Sequence, residues 1–100
     1  NTESDEANLQ AQRRDAEYRR RVIVSFFEYG KLKSIPTQRK KKRIALEEIV
    51  KALAWDRIYT EKEVNIIIAD FHEDFCTIRR DLISEKLMGR EDNRYWRLKI

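Results

Sequence analysis

A mainly α-helical fold closed by a small β-hairpin is what this sequence predicts, and three observations carry that prediction. Apolar residues recur at i, i+3, i+4 and i+7 in two separate stretches, Leu46, Ile49, Val50, Leu53 and Val64, Ile67, Ile68, Phe71. That spacing gathers side chains on one face of a helix. The second stretch follows Thr60-Glu-Lys-Glu63, in which a Thr N-cap and a Glu at the third helical position form a capping box. Near the C-terminus, Leu87 to Glu91 and the strand-like run from Arg94 flank Asp92-Asn93, an acceptable centre for a tight hairpin turn, though weaker than Asn-Gly. Over Tyr59 to Arg97 the order is short strand, helix, tight turn, helix, hairpin. This is the layout of a winged helix-turn-helix, here preceded by an extra N-terminal helix. The expected organisation is a partly mobile helical arm over residues 1–30 and a winged-helix domain over residues 31–100.

Residues 5–29 predict the first helix, with Asp5 as N-cap and Gly30 as the C′ residue able to take a positive φ. Its first half is too polar to bury a wide face; Leu9, Ala16 and Ile23 recur at heptad spacing, but the stripe is thin. Val22, Ile23, Phe26 and Phe27 can dock on a core. Two readings follow: a solvated arm docked through its last turns, or a helix that pairs with a second copy. Residues 31–38 form a connector in which Leu32 and Ile35 plug into the core and Pro36 suits the entry to a helix. Residues 37–54 predict that next helix. Ile58 and Tyr59 are β formers and serve as the small strand edging the wing.

The capped helix runs from Thr60 to about His72–Glu73, where Asp74 caps a further helix over residues 75–85. Phe75, Ile78 and Leu82 gather on the core side of this last helix, and Thr77, Arg80, Asp81 and Ser84 face outward. Arg79 falls on the border, as a structural residue paired to a carboxylate such as Glu85 or Asp70 or stacked on an aromatic. In the second hairpin strand, Trp96 and Leu98 point one way, toward the core; Tyr95, Arg97 and Lys99 point the other.

Charged residues make up 40% of the chain, well above the usual ~25%, which signals a small domain with much polar surface. The net charge of +4 is unevenly spread. Residues 31–57 hold nine cations against three carboxylates, and residues 90–100 four against two. Between them, residues 58–89 hold four against seven. The longest run of cations is Arg39-Lys40-Lys41-Lys42-Arg43. Placed at a helix N-terminus it opposes the macrodipole, so local helix energetics do not account for it and an anionic partner would. A solvated face or a targeting signal are the blander readings of such a run.

No phosphate-cradling Gly-rich loop exists in a chain with two glycines. His72 and Cys76 are four apart but straddle a helix–helix turn, and no second pair completes the four ligands zinc takes. Cys76 has no orienting base or oxyanion loop to serve as a nucleophile. The sequence therefore implies neither an enzyme nor a cofactor. A single cysteine excludes an internal disulfide and fits a reducing compartment, which predicts a cytoplasmic site of action. No apolar run approaches a membrane span. The absent initiator Met predicts an excised or processed piece of a longer chain.

Recognition chemistry remains. The second helix of the turn motif would enter the major groove of double-stranded DNA, with the hairpin on backbone or minor groove. Arg80 can fork onto a guanine edge, and Thr77 and Ser84 can bond bases or phosphates. Arg39, Lys40, Lys41, Lys42 and Arg43, with Arg90, Arg94 and Arg97 of the wing, would hold phosphates. Asp74, Asp81 and Glu85 on or beside the reading helix oppose this. They keep open a second expectation, a protein-interaction or homodimerisation module that touches no DNA.

"FFEYGKLKSIP", "KKKR", "YTEKEVN", "H-x-D", "IRRDL" and "REDNRYWR" together resemble an uncharacterised bacterial domain family, often found behind an ArsR-type helix-turn-helix in transcriptional regulators and sometimes alone. The resemblance covers about Phe26 to Arg97. It implies a role in transcriptional regulation and an upstream helix-turn-helix domain, and it carries over no catalytic or ligand residues. Pro36, Tyr59, Glu63, Asn65, His72, Asp74, Arg79, Arg80, Tyr95 and Trp96 match its pattern. Lys86 departs from it, standing where the pattern tends to have Gly: either a positive φ there costs about 1 kcal/mol, or the helix ends at a displaced position.

Overall fold

The computed structural model describes residues 2–99. Among these residues, helix α1 (Thr2–Phe26) is followed by a hairpin, β1–β2 (Phe27–Glu28, Lys31–Leu32), then by three successive helices, α2 (Arg39–Val50), α3 (Glu61–Ala69) and α4 (Phe75–Ser84), and by a second hairpin, β3–β4 (Met88–Glu91, Arg94–Arg97). The mainly helical class with a small hairpin is as the sequence predicts.

Helix α1 starts three residues before Asp5, which lies in the first turn with Glu3, where carboxylates favour the helix dipole. It ends at Phe26, short of the expected position 29. The chain then turns back through Tyr29 (φ 53°) and Gly30 (φ 75°). Two successive left-handed residues make the tight turn that matches strand twist, so Gly30 serves a hairpin rather than a helix end. Every residue from Thr2 to Glu17 is exposed, and burial begins at Tyr18. Val22 is buried and Phe26 and Phe27 pack against the core, so α1 docks only through its last turns.

The core joins Leu46, Ile49 and Val50 of α2, Val64 and Ile68 of α3, Ile78 and Leu82 of α4, and Tyr95 of β4. Leu32 is buried and Ile35 packs beside it. Helix α3 has the expected capping box: Thr60 accepts from the Glu63 N–H, and Glu63 accepts from the Thr60 N–H. It stops at Ala69, earlier than residues 72–73. Asp74 then caps α4 by accepting from the Thr77 N–H, while His72 Nδ1 accepts the Asp74 N–H at 2.9 Å.

At its other end α4 closes with two backbone bonds, Lys86 N–H to Ile83 O and Leu87 N–H to Leu82 O. This arrangement holds Lys86 at φ 60° and buries Leu87 against the core beside Leu82, the Schellman form of helix ending. The Gly-favouring position is therefore real, and Lys occupies it.

Strands β3 and β4 pair antiparallel, Met88 opposite Arg97 and Glu91 opposite Arg94, with Asp92-Asn93 at the turn. Tyr59 exchanges both backbone hydrogen bonds with Tyr95 and so lies beside β4 as a one-residue third strand. The facing of β4 is the reverse of the expected one. Tyr95 is fully buried, and Trp96 and Leu98 are half-buried. Tyr95 gains the Tyr59 pairing and gives its hydroxyl to Glu61 at 2.8 Å. Trp96 lies across bare backbone at Gly89, where an added Cβ would meet its indole at 2.5 Å.

Candidate nucleic-acid interface

Burial of Ile78 and Leu82 turns the opposite face of α4 outward. Arg80 and Ser84 are exposed, and Thr77 and Asp81 half-exposed. Arg80 has no side-chain partner among the described residues. Arg79, by contrast, is buried. Its guanidinium bonds Asn65 and lies 3.6 Å from Glu61, so the structural role expected for it holds but the carboxylate is Glu61 rather than Glu85 or Asp70. Glu61 sits below the ordinary carboxylate range because Tyr95 donates to it and the Arg79 charge lies close.

The basic run on α2 has its anionic partner inside the chain. Arg39 bonds Glu85 Oε1 at 3.0 Å. Arg43 bonds the Glu85 carboxylate at 3.0 Å and its backbone carbonyl at 2.7 Å. Lys42 lies 3.7 Å from Asp81. Glu85 caps the C-terminus of α4, where unpaired carbonyls and the negative dipole end disfavour a carboxylate. Two guanidiniums reverse that penalty. Each helix end would be electrostatically wrong alone, and together they correct one another. The Glu85 carboxyl is accordingly lowered, through hydrogen bonds from Arg39 and then Arg43.

Arg43 also bonds Glu47 at 3.2 Å, and Glu47 in turn pairs with Arg19 of α1. Lys40 sits 4.4 Å over the Tyr18 ring. Lys41 lines a groove with Tyr18, Arg21 and Phe26 that holds no carboxylate. Of the five cations expected to hold phosphates, Lys41, Lys42 and Arg43 are half-buried, the last two in intramolecular pairs, while Arg39 and Lys40 are exposed. The first turn of α2 has no side-chain cap and no acidic residue.

The β3–β4 hairpin is shorter and more tied down than its sequence suggests. Asn93 Oδ1 accepts from the Glu61 N–H at 3.0 Å, which fastens the turn to the start of α3. Arg94 is exposed. Arg90 reaches the Asp92 carbonyl at 3.1 Å and the Tyr95 ring at 5.4 Å. Arg97 corrects the expectation most: it stacks on Trp55 at 3.6 Å and donates to the Leu53 carbonyl at 3.3 Å, a packing contact rather than a free cation. The structure thus brings Arg80, Ser84, Arg39 and the ion-paired carboxylates of α4 to one side, and removes Arg97 from it. Sequence reasoning missed the cover over Asp81 and Glu85 because the pairing residues lie about 40 positions away in the chain, where no local spacing rule reaches.

Residues 31–97 match a family described as an uncharacterised protein conserved in bacteria, DUF2087. The chain belongs to this family. The DUF2087 match begins at β2 and ends with β4, so it takes in α2, α3, α4 and the β3–β4 hairpin, and the exposed length of α1 lies ahead of it. No curated protein and no solved structure matches the chain. No helix among the described residues is long and apolar enough to cross a membrane.

Proposed function

We propose that this domain is a winged helix that binds double-stranded DNA, with α4 in the major groove. The order α2, Tyr59, α3, α4, β3, β4 supports the fold assignment: three helices, a strand residue paired to the last strand, and a terminal hairpin. A single observation carries the binding reading. Arg80 projects from α4 without a partner among the described residues, while Asp81 and Glu85, the carboxylates toward the C-terminal end of this helix, are matched by α2 cations. The acidic character that argues against this helix is thereby neutralised at its C-terminal half. Arg80 reads a base edge or holds a phosphate, Ser84 and Thr77 add hydrogen bonds, and Arg39, Lys40, Lys41 and Arg94 supply phosphate contacts. The regulator context implied by the family resemblance belongs to the same proposal: an ArsR-type unit ahead of the domain and a cytoplasmic, nucleoid-associated site of action.

The test is fluorescence anisotropy of mixed-sequence duplexes over a salt series. Log affinity should fall linearly with log salt, with a slope of about −0.9 per phosphate engaged. Arg80→Ala combined with Arg94→Ala should weaken binding at least tenfold and flatten that slope. Absence of binding at low salt overturns the proposal.

A further inference from the structure

Helix α1 carries a cationic segment that the DNA-binding reading leaves unused. Residues 13–21 hold five arginines, Arg13, Arg14, Arg19, Arg20 and Arg21, against Asp15 and Glu17. Arg19 is tied to Glu47 of α2; the other four are exposed and divide by angle. Around the helix from buried Val22, Arg13 and Arg20 lie about 160–180° away, on the side turned from the core. Arg14 and Arg21 lie about 80–100° away, on the flank that also carries Ser25. That flank meets α2. Tyr18, Arg21, Val22, Ser25 and Phe26 line a groove of about 370 Å³ with Lys41, and no carboxylate is among its lining residues. Lys41 is half-buried there, with no ion-pair partner among the described residues. Arg21 has Glu17 at 3.9 Å, both side chains well exposed, and such a surface contact holds an arginine only weakly.

We propose that this groove and the flank of α1 beyond it hold DNA sugar–phosphate backbone, so that α1 extends the DNA interface. The inference rests on the DNA-binding reading and adds a second stretch of the same duplex to it. Chemistry selects the occupant. Arg21, Lys41 and the Ser25 hydroxyl can meet a phosphate, and Val22 and Phe26 offer an apolar floor to the carbon face of a deoxyribose. Arg14 stands seven residues before Arg21, two turns and about 10 Å along the axis. That is farther than one small anion reaches, so a polyanion is needed to engage both. The groove also continues a cationic track. Arg39 and Lys40 are exposed beside Lys41, and Lys40 sits over the Tyr18 ring. On its other side the same turn of α2 pairs with Asp81 and Glu85 of α4. Cations therefore run from α4 around the start of α2 to α1. Because the family match begins at residue 31, this contact comes from the segment ahead of the family domain.

Two charge-matched double variants of the full chain test this, by fluorescence anisotropy with mixed-sequence duplexes over a salt series. Arg14→Gln with Arg21→Gln should make the salt slope shallower by about 0.9 for each phosphate lost, and weaken low-salt binding at least about threefold. Arg13→Gln with Arg20→Gln removes the same two charges from the outward side and should leave the slope unchanged. All four side chains are exposed, so both variants should keep the wild-type thermal midpoint. Equal effects from the two pairs, or none from either, overturn this inference. If Arg80→Ala with Arg94→Ala weakens binding in that case, the reading of α4 stands without it. A wild type that binds no duplex at low salt overturns both.

Discussion

Lys86 sits in the left-handed region, φ 60°, at the closing residue of α4, and its exposed side chain has no hydrogen-bond or ion-pair partner among the described residues to offset the strain. Lys86→Gly should therefore raise stability by about 1 kcal/mol, somewhat less if the freer unfolded chain offsets part of it; urea unfolding measures this. Gly89 is the opposite case. Its Cβ would stand 2.5 Å from the Trp96 indole, in the strand pair that covers the core, so Gly89→Ala should cost about 2 kcal/mol through overpacking. Legibility at this scale follows the reach of each interaction. Thr60, Glu63 and Asp74 were readable because caps act within three residues. Arg79 was readable as structural from its angle on the helix, but not its Asn65 and Glu61 partners on another element. The facing of Tyr95 and Trp96 was misread because side-chain size alone favours the indole for the core. A hydroxyl with a waiting carboxylate and a glycine able to receive the indole decide otherwise.

Elements were legible where their own sequence specifies them and illegible where they depend on one another. The periodicity of α2, α3 and α4 located all three, with ends misplaced by a few residues. The β1–β2 hairpin went unseen, since Phe27-Glu28 and Lys31-Leu32 are too short to show alternation. The pairing of α2 with α4 was likewise invisible, and it makes a distinct prediction with pH. Glu85 has its carboxyl lowered by Arg39 and Arg43, Glu63 by the Thr60 backbone and side chain, and Glu61 by Tyr95 and Arg79. A folded-state value below the ordinary 4.5 means the unfolded chain takes up protons first. Their stabilising contributions are fully present above that value and disappear as pH falls through the folded ones. Thermal midpoints should thus hold between neutrality and about pH 5 and drop below it. Glu85→Gln should lower the midpoint at pH 7 and make the acid fall shallower. Tyr95 runs the other way: burial, then its bond to Glu61, raises it, so its contribution holds below pH 10 and is lost as pH climbs through the raised value.

At the scale of the whole molecule, one long helix governs the shape. The radius of gyration is 15.5 Å and the extents are 50 × 28 × 21 Å, against about 13 Å for a compact chain of 100 residues. Helix α1 accounts for the excess, because its length exceeds what its docked turns can bury. A helical segment of about 16 exposed residues is near the limit of what persists in water without tertiary support. Its Arg19–Glu47 pair and buried Val22 hold only the C-terminal half. Amide hydrogen exchange should therefore split the chain. Amides from Thr2 to Glu17 should exchange within seconds to minutes, whereas those of Ile78, Leu82 and Tyr95 should open only with global unfolding. Val22→Ala should cost about 1–2 kcal/mol, and Leu9→Ala less than about 0.5, because only the former is packed. Slow exchange over Thr2–Glu17 that speeds up on dilution would mean the arm is held by another copy.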